Sequence, residues 1–100
     1  MPVYLISNRL PDGYHGSPAA MEAWNTWFEQ LGDHLVDRGN PVFNSAAIGD
    51  CGPSSRLGGC TVITADDLDH ATRLAADCPA IAAGGGAEIG ELTIINERAD

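Results

Sequence analysis

Clusters of Gly, Pro, Asp and Asn cut this chain into six short segments, and the apolar spacing changes from one segment to the next. Such clusters end regular structure because Gly is costly to order and Pro lacks a backbone donor. Ahead of Pro11-Asp12-Gly13 stands "PVYLISNR", short and β-rich, which reads as a first strand. Val3 and Leu5 point to one face and Tyr4 and Ile6 to the other, so both faces are apolar and both require cover. Ser17-Pro18 then opens a helix, Ser as its N-cap and Pro as its first residue. Met21, Trp24, Phe28, Leu31 and Leu35 recur at steps of three and four, with Trp27 on the flank of the stripe. Gly39 and Pro41 are expected to stop this helix, and the stripe places Trp24 and Phe28 in the core.

"PVFNSAAIG" is a weaker second strand, "DCGPSSRLGG" a loop and "CTVITA" a third strand. "DDLDHATRLAADC" is a second helix, capped by Asp66 and ended by Pro79. "AEIGELTII" is a fourth strand, followed by a polar tail. The order βαββαβ is the ferredoxin-like pattern: an α+β fold with an antiparallel four-stranded sheet and two helices on one face. One hundred residues make a single domain, 1–100.

Charge excludes several partners. Fourteen acidic residues face five arginines and no lysine, for a net charge of −9. Neither a nucleic-acid backbone nor an anionic membrane is attracted to such a surface. Nothing approaches a membrane span, and "MPVYLISNRLPDG" has no basic leader, so a cytoplasmic location is expected. Cys51, Cys60 and Cys78 are odd in number and lack zinc spacing, which predicts reduced thiols and no metal.

The run Gly84-Gly85-Gly86 follows a helix and precedes a strand, the reverse of a phosphate loop. It reads as a tight connection, with at least one glycine at positive φ and the other two tolerant of Ala. No nucleotide or other cofactor motif is present, and no cofactor is expected. His34 and His70 read as structural helix residues, His70 a solvated one. His15 sits with Asp12 in the loop after the first strand, where sites concentrate, and imidazole suits acid–base work. These two are the catalytic candidates, while Asp50, Ser54 and Arg56 are the ligand-binding candidates, Arg56 for a substrate carboxylate.

Three pieces in order carry a family likeness: "AWNTWFEQLGDHLVDRGNP", "DCGPSSRLGGCTVITADDLDHATRLAADCP" and "GGGAEIGEL". Together they resemble the YCII-related proteins of the DGPF type, with the DGPF box altered here to Asp50-Cys51-Gly52-Pro53. The resemblance spans Pro2 to Ile95 and implies a homodimeric α+β barrel, two sheets face to face with helices outside. Some members of that group resemble enzymes using a His–Asp pair. The histidine falls in the first helix, about eleven residues before its final glycine. Counting back from Gly39 reaches Phe28, beside Trp27, so the pair does not carry over to this chain.

Three functions fit these features. The first is a small homodimeric module that binds an apolar or aromatic metabolite without catalysis. The second is a cofactor-independent isomerase or lyase for a small aromatic or carboxylate metabolite. The third is a dimer that docks on another protein. The sequence does not choose a ligand or a reaction.

Overall fold

The computed structural model describes residues 1–95; the polar tail from residue 96 lies outside the described residues. Strand β1 runs Val3–Pro11, helix α1 Pro18–Leu31, and β2 Leu35–Asp37 after one turn of 3-10 helix. Then come β3, Ser55–Thr64, α2, Leu68–Ala75, the short helix α3, Pro79–Ala82, and β4, Gly86–Glu91. The sheet order is β2-β3-β1-β4, and every neighbouring pair is antiparallel. This is the ferredoxin-like arrangement, with α1 and α2 as its two main helices.

Alternation in β1 divides the two faces. Tyr4, Ile6, Asn8 and Leu10 are buried, while Val3, Leu5, Ser7 and Arg9 on the other face are half-buried. On the buried side Ile6 and Ile63 meet Trp27, Leu31, Ala71 and Ala75 from the helices. The Trp27 Nε1–H donates to the Leu74 carbonyl at 3.0 Å and joins α1 to α2. Among the described residues no helix is long and apolar enough to cross a membrane.

The helix starts are as the caps predict. The Ser17 hydroxyl accepts the Ala20 N–H at 3.0 Å, with Pro18 in the first turn. At α2 the cap is Asp67 and not Asp66: its carboxylate accepts the His70 N–H at 2.8 Å. His70 Nδ1 in turn accepts the Asp66 N–H at 3.0 Å, which makes a reciprocal box with histidine in the usual Glu place. His70 is therefore half-buried at the helix start, and its ring stands perpendicular to that of His34, centroids 5.0 Å apart.

Several boundaries differ from the sequence expectation, among them that of β4, which ends at Glu91 and not at Ile95. Helix α1 ends at Gly32, whose φ of +54° breaks the helix seven positions before Gly39. The chain thus reaches the sheet early, and Leu35–Asp37 takes the edge place on β3. "PVFNSAAIG" is left as loop: Pro41 has no N–H to give, and Val42 makes a single backbone bond, to the Gly58 carbonyl at 3.0 Å. Strand β3 also begins earlier than "CTVITA", because Gly58-Gly59 form a bulge opposite Asn8 and Arg9 and do not end the strand. Finally, α2 ends at Ala75, short of Cys78, and Pro79 instead opens α3, where its missing donor costs nothing.

Candidate functional site

Helix α1 carries two stripes. Trp27 and Leu31 face the core, whereas Met21, Trp24, Asn25 and Phe28 face a cavity. Trp24 and Phe28 are accordingly half-buried, correcting their expected place in the core. The three rings still pack on one another, with Trp24 5.8 Å from Trp27 and Phe28 5.4 Å from Trp27 between centroids. The aromatic wall is thus fixed from behind by a fully buried indole.

The cavity has a volume of about 790 Å³ and lies between α1, the middle of β1 and β3, and a strap at residues 38–43. Two glycines seat the strap. A Cβ at Gly39, where φ is +73°, would run into the Cys60 carbonyl, and one at Gly59 would stand 3.2 Å from the Asn40 carbonyl. Only glycine lets these two backbones approach so closely.

The floor is polar and satisfied. Asn8 and Thr61 are buried, and the Thr61 hydroxyl donates to the Arg38 carbonyl at 3.2 Å. The Asn8 side-chain oxygen accepts the Cys78 thiol at 3.0 Å. Burial pushes that thiol from 9.0 up to about 11, against a smaller lowering by the Ala80 backbone. As pH rises, the unfolded thiol ionises first. Its contribution to stability is whole below pH 9 and is lost as pH climbs through 11. Cys78→Ala should flatten the alkaline decline in urea melts taken from pH 8 to 11; an unchanged decline would mean the thiol is not the group involved. Tyr4, raised by burial and then by the nearby Glu91 carboxylate, loses its proton in the same direction and leaves a residual slope.

Two guanidiniums stand at the cavity. Arg56 donates to the carbonyls of Val42 at 3.0 Å and Tyr14 at 3.4 Å, tying the strap to the β1–α1 loop. Arg38 donates to the Asn25 side-chain oxygen at 2.9 Å, and its guanidinium lies 4.5 Å above the Phe28 ring. Among the described residues no Asp, Glu or His lines this space, so they leave the rim cationic in a chain that is acidic overall.

Of the five candidates read from sequence, Arg56 lines the cavity. His15 is exposed and does not line the cavity, although Tyr14 and Gly16 on either side of it do. Asp12 and Ser54 are exposed and belong to the neighbouring turn, where the Ser54 carbonyl accepts the Asp12 N–H at 3.3 Å. Ser54 has φ of +63°, an uncommon value outside glycine. Asp50 is exposed in the long loop. His15, Asp50 and Arg56 therefore do not converge on one cavity. Sequence reasoning missed Asn8, Tyr14, Arg38 and Thr61. The signal for Asn8 and Thr61 was a polar residue on the buried alternation of a strand. Recounting from the true helix end at Gly32 reaches Met21, so the family's helix histidine is absent by either count.

No family model matches this chain, and no curated protein does either. Among solved structures, the chain is similar to 5-chloro-2-hydroxyhydroquinone dehydrochlorinase (TftG) from Burkholderia phenoliruptrix, in a complex with 2,5-dihydroxybenzoquinone. The TM-score is 0.61 at 15% identity, over 91% of this chain and 93% of that one. At that identity the likeness is one of architecture: two sequences with little in common share one ferredoxin-like fold from end to end.

Proposed function

We propose that this chain is a homodimeric, YCII-related enzyme, a cofactor-independent isomerase or lyase acting on a small aromatic metabolite in the cavity beside α1. One observation carries the reading. Trp24 and Phe28, their rings tilted 33° to each other, form an aromatic wall over the buried polar floor of Asn8 and Thr61, in a space of about 790 Å³. Aromatic walls with a few placed polar groups suit a ring bearing oxygens. A protein of the same fold is described as a dehydrochlorinase and holds a dihydroxybenzoquinone, which supports a catalytic role on such rings. Isomerisation moves one proton within the substrate. Elimination of HCl removes a proton and a chloride from it. Neither requires an external electron acceptor, so proton-carrying side chains suffice.

His15 is the acid–base residue in this reading. It is exposed beside two residues that line the cavity, and Asp12, three positions earlier, would orient its ring. In the dimer, the outer faces of two sheets pack together through Val3, Leu5 and Val62, which no helix among the described residues covers. Sedimentation equilibrium at micromolar protein is expected to give a dimer; a folded monomer removes this part of the reading.

A specific observation favours a second reading, the pure binding module: no carboxylate or imidazole lines the cavity itself. Turnover separates the two. Chloride release from 5-chloro-2-hydroxyhydroquinone is expected for the native chain. His15→Gln should lower kcat about 100-fold while KM and the melting temperature hold. Calorimetric binding of 2,5-dihydroxybenzoquinone without turnover of that substrate or its isomers selects the binding module. Absence of binding overturns both readings.

A further inference from the structure

We infer that Arg38 makes the cavity selective for an anionic aromatic ring, a benzoate-like carboxylate in contact with its guanidinium while the ring packs against Trp24. This rests on the proposed use of the cavity and adds the charge of its ligand.

Arg38 is held at two points. Its carbonyl accepts the Thr61 hydroxyl from the cavity floor, and its guanidinium is fixed between the Asn25 side chain and the Phe28 ring. A guanidinium has five N–H donors. Among the described residues Arg38 uses one hydrogen bond for its head group, to a neutral amide oxygen. Arg56 differs: its head group makes three hydrogen bonds to backbone carbonyls, those of Val42, Leu57 and Tyr14, and so works as a tie. Arg38 therefore has the donors to spare.

Its charge is also uncompensated. Fourteen acids outnumber five arginines in this chain, yet no arginine is paired with a carboxylate among the described residues. Every side chain lining the cavity is apolar, neutral polar, a thiol or a guanidinium. A positioned guanidinium with free donors and no carboxylate binds a planar anion in bidentate fashion. The guanidinium lies over the Phe28 ring and lines the same space that Trp24 borders.

The test compares 4-hydroxybenzoate with 4-hydroxybenzamide, equal in shape and different in charge, by titration calorimetry at low salt. The native chain should bind the carboxylate at least about tenfold more tightly than the amide. Arg38→Gln should erase that preference and leave amide binding within about twofold. Arg38→Met, which keeps an apolar stem on Phe28, should do the same if the Gln variant folds poorly. Arg73→Gln, which removes a charge on α2 away from the cavity, should keep the preference. Equal binding of both probes to the native chain overturns the inference and leaves the cavity reading standing. A preference that survives both Arg38 variants overturns it too. If neither probe binds the native chain, the cavity reading fails and takes this inference with it.

Discussion

Replacing Trp27 with Ala should lower the unfolding free energy by about 4 kcal/mol, the largest loss expected from any single ring in this chain. Trp27 is 2% exposed and is the bulkiest side chain in the core. Its ring supports Trp24 and Phe28 from behind, and its Nε1–H satisfies the Leu74 carbonyl of α2. Ala would open a cavity, release the aromatic wall and leave that carbonyl without its donor. Trp27→Phe keeps most of the ring and loses the hydrogen bond, so a smaller loss of about 1–2 kcal/mol is expected. Trp24→Ala should cost less than Trp27→Ala, because Trp24 already borders open space. Urea melts of the three variants test the ranking. A loss below about 2 kcal/mol for Trp27→Ala, or a Trp24→Ala loss exceeding it, would show that the core and cavity stripes of α1 have been exchanged.

Gly85→Ala should destabilise by about 3 kcal/mol, more than Gly84→Ala at about 1 kcal/mol. The sequence singles out the glycine at positive φ as the sensitive one and the others as tolerant. Gly84 does have positive φ, at +92°, but an added Cβ there meets nothing within 4 Å. Gly85 has no such φ; its cost is contact. A Cβ would run into the Arg9 carbonyl of β1 and stand 3.1 Å from the Ala80 carbonyl. Its N–H also donates to Ala80 at 2.9 Å, so the turn cannot simply lift away. Both obstacles are backbone, which cannot swing aside as a flexible side chain can. A thermal or urea melt in which Gly84→Ala is the worse variant would mean that the α3–β4 turn does not press on β1.

Local signals in the sequence carried most of the architecture. Ser17-Pro18 and the Asp66-Asp67 pair marked the helix starts because capping depends on side chains close by. Alternation in β1 sorted Tyr4 and Ile6 from Val3 and Leu5, since a strand repeats every two residues. Two glycines were harder. Gly32 in an apolar helical stripe and Gly39 ahead of a proline offer equal stops by pattern, and the choice falls to which one the sheet can accommodate. That one choice moved β2 and turned residues 38–43 into the cavity wall. The cavity itself was hidden because a helix that faces both a core and a ligand space shows one broad stripe. Trp24 and Trp27 stand only about 60° apart on the helical wheel, so one stripe covers both. Arg38 was overlooked since its partners, Asn25, Phe28 and Thr61, come from three separate segments.

The central place of β1 bears on how the chain assembles. Its two neighbours are β3 and β4, and the register joins Val3 to Thr64 on one side and Tyr4 to Glu91 on the other. Strand β1 leaves the ribosome before either neighbour and is thus completed on both edges only when β4 follows. Until β4 emerges, a strand with apolar residues on both faces waits with an open edge, the condition in which nascent chains pair with one another. Contacts of such long sequence separation also slow the search for the native pairing. Crowded synthesis, more than the finished molecule, is where this fold is most exposed to mispairing.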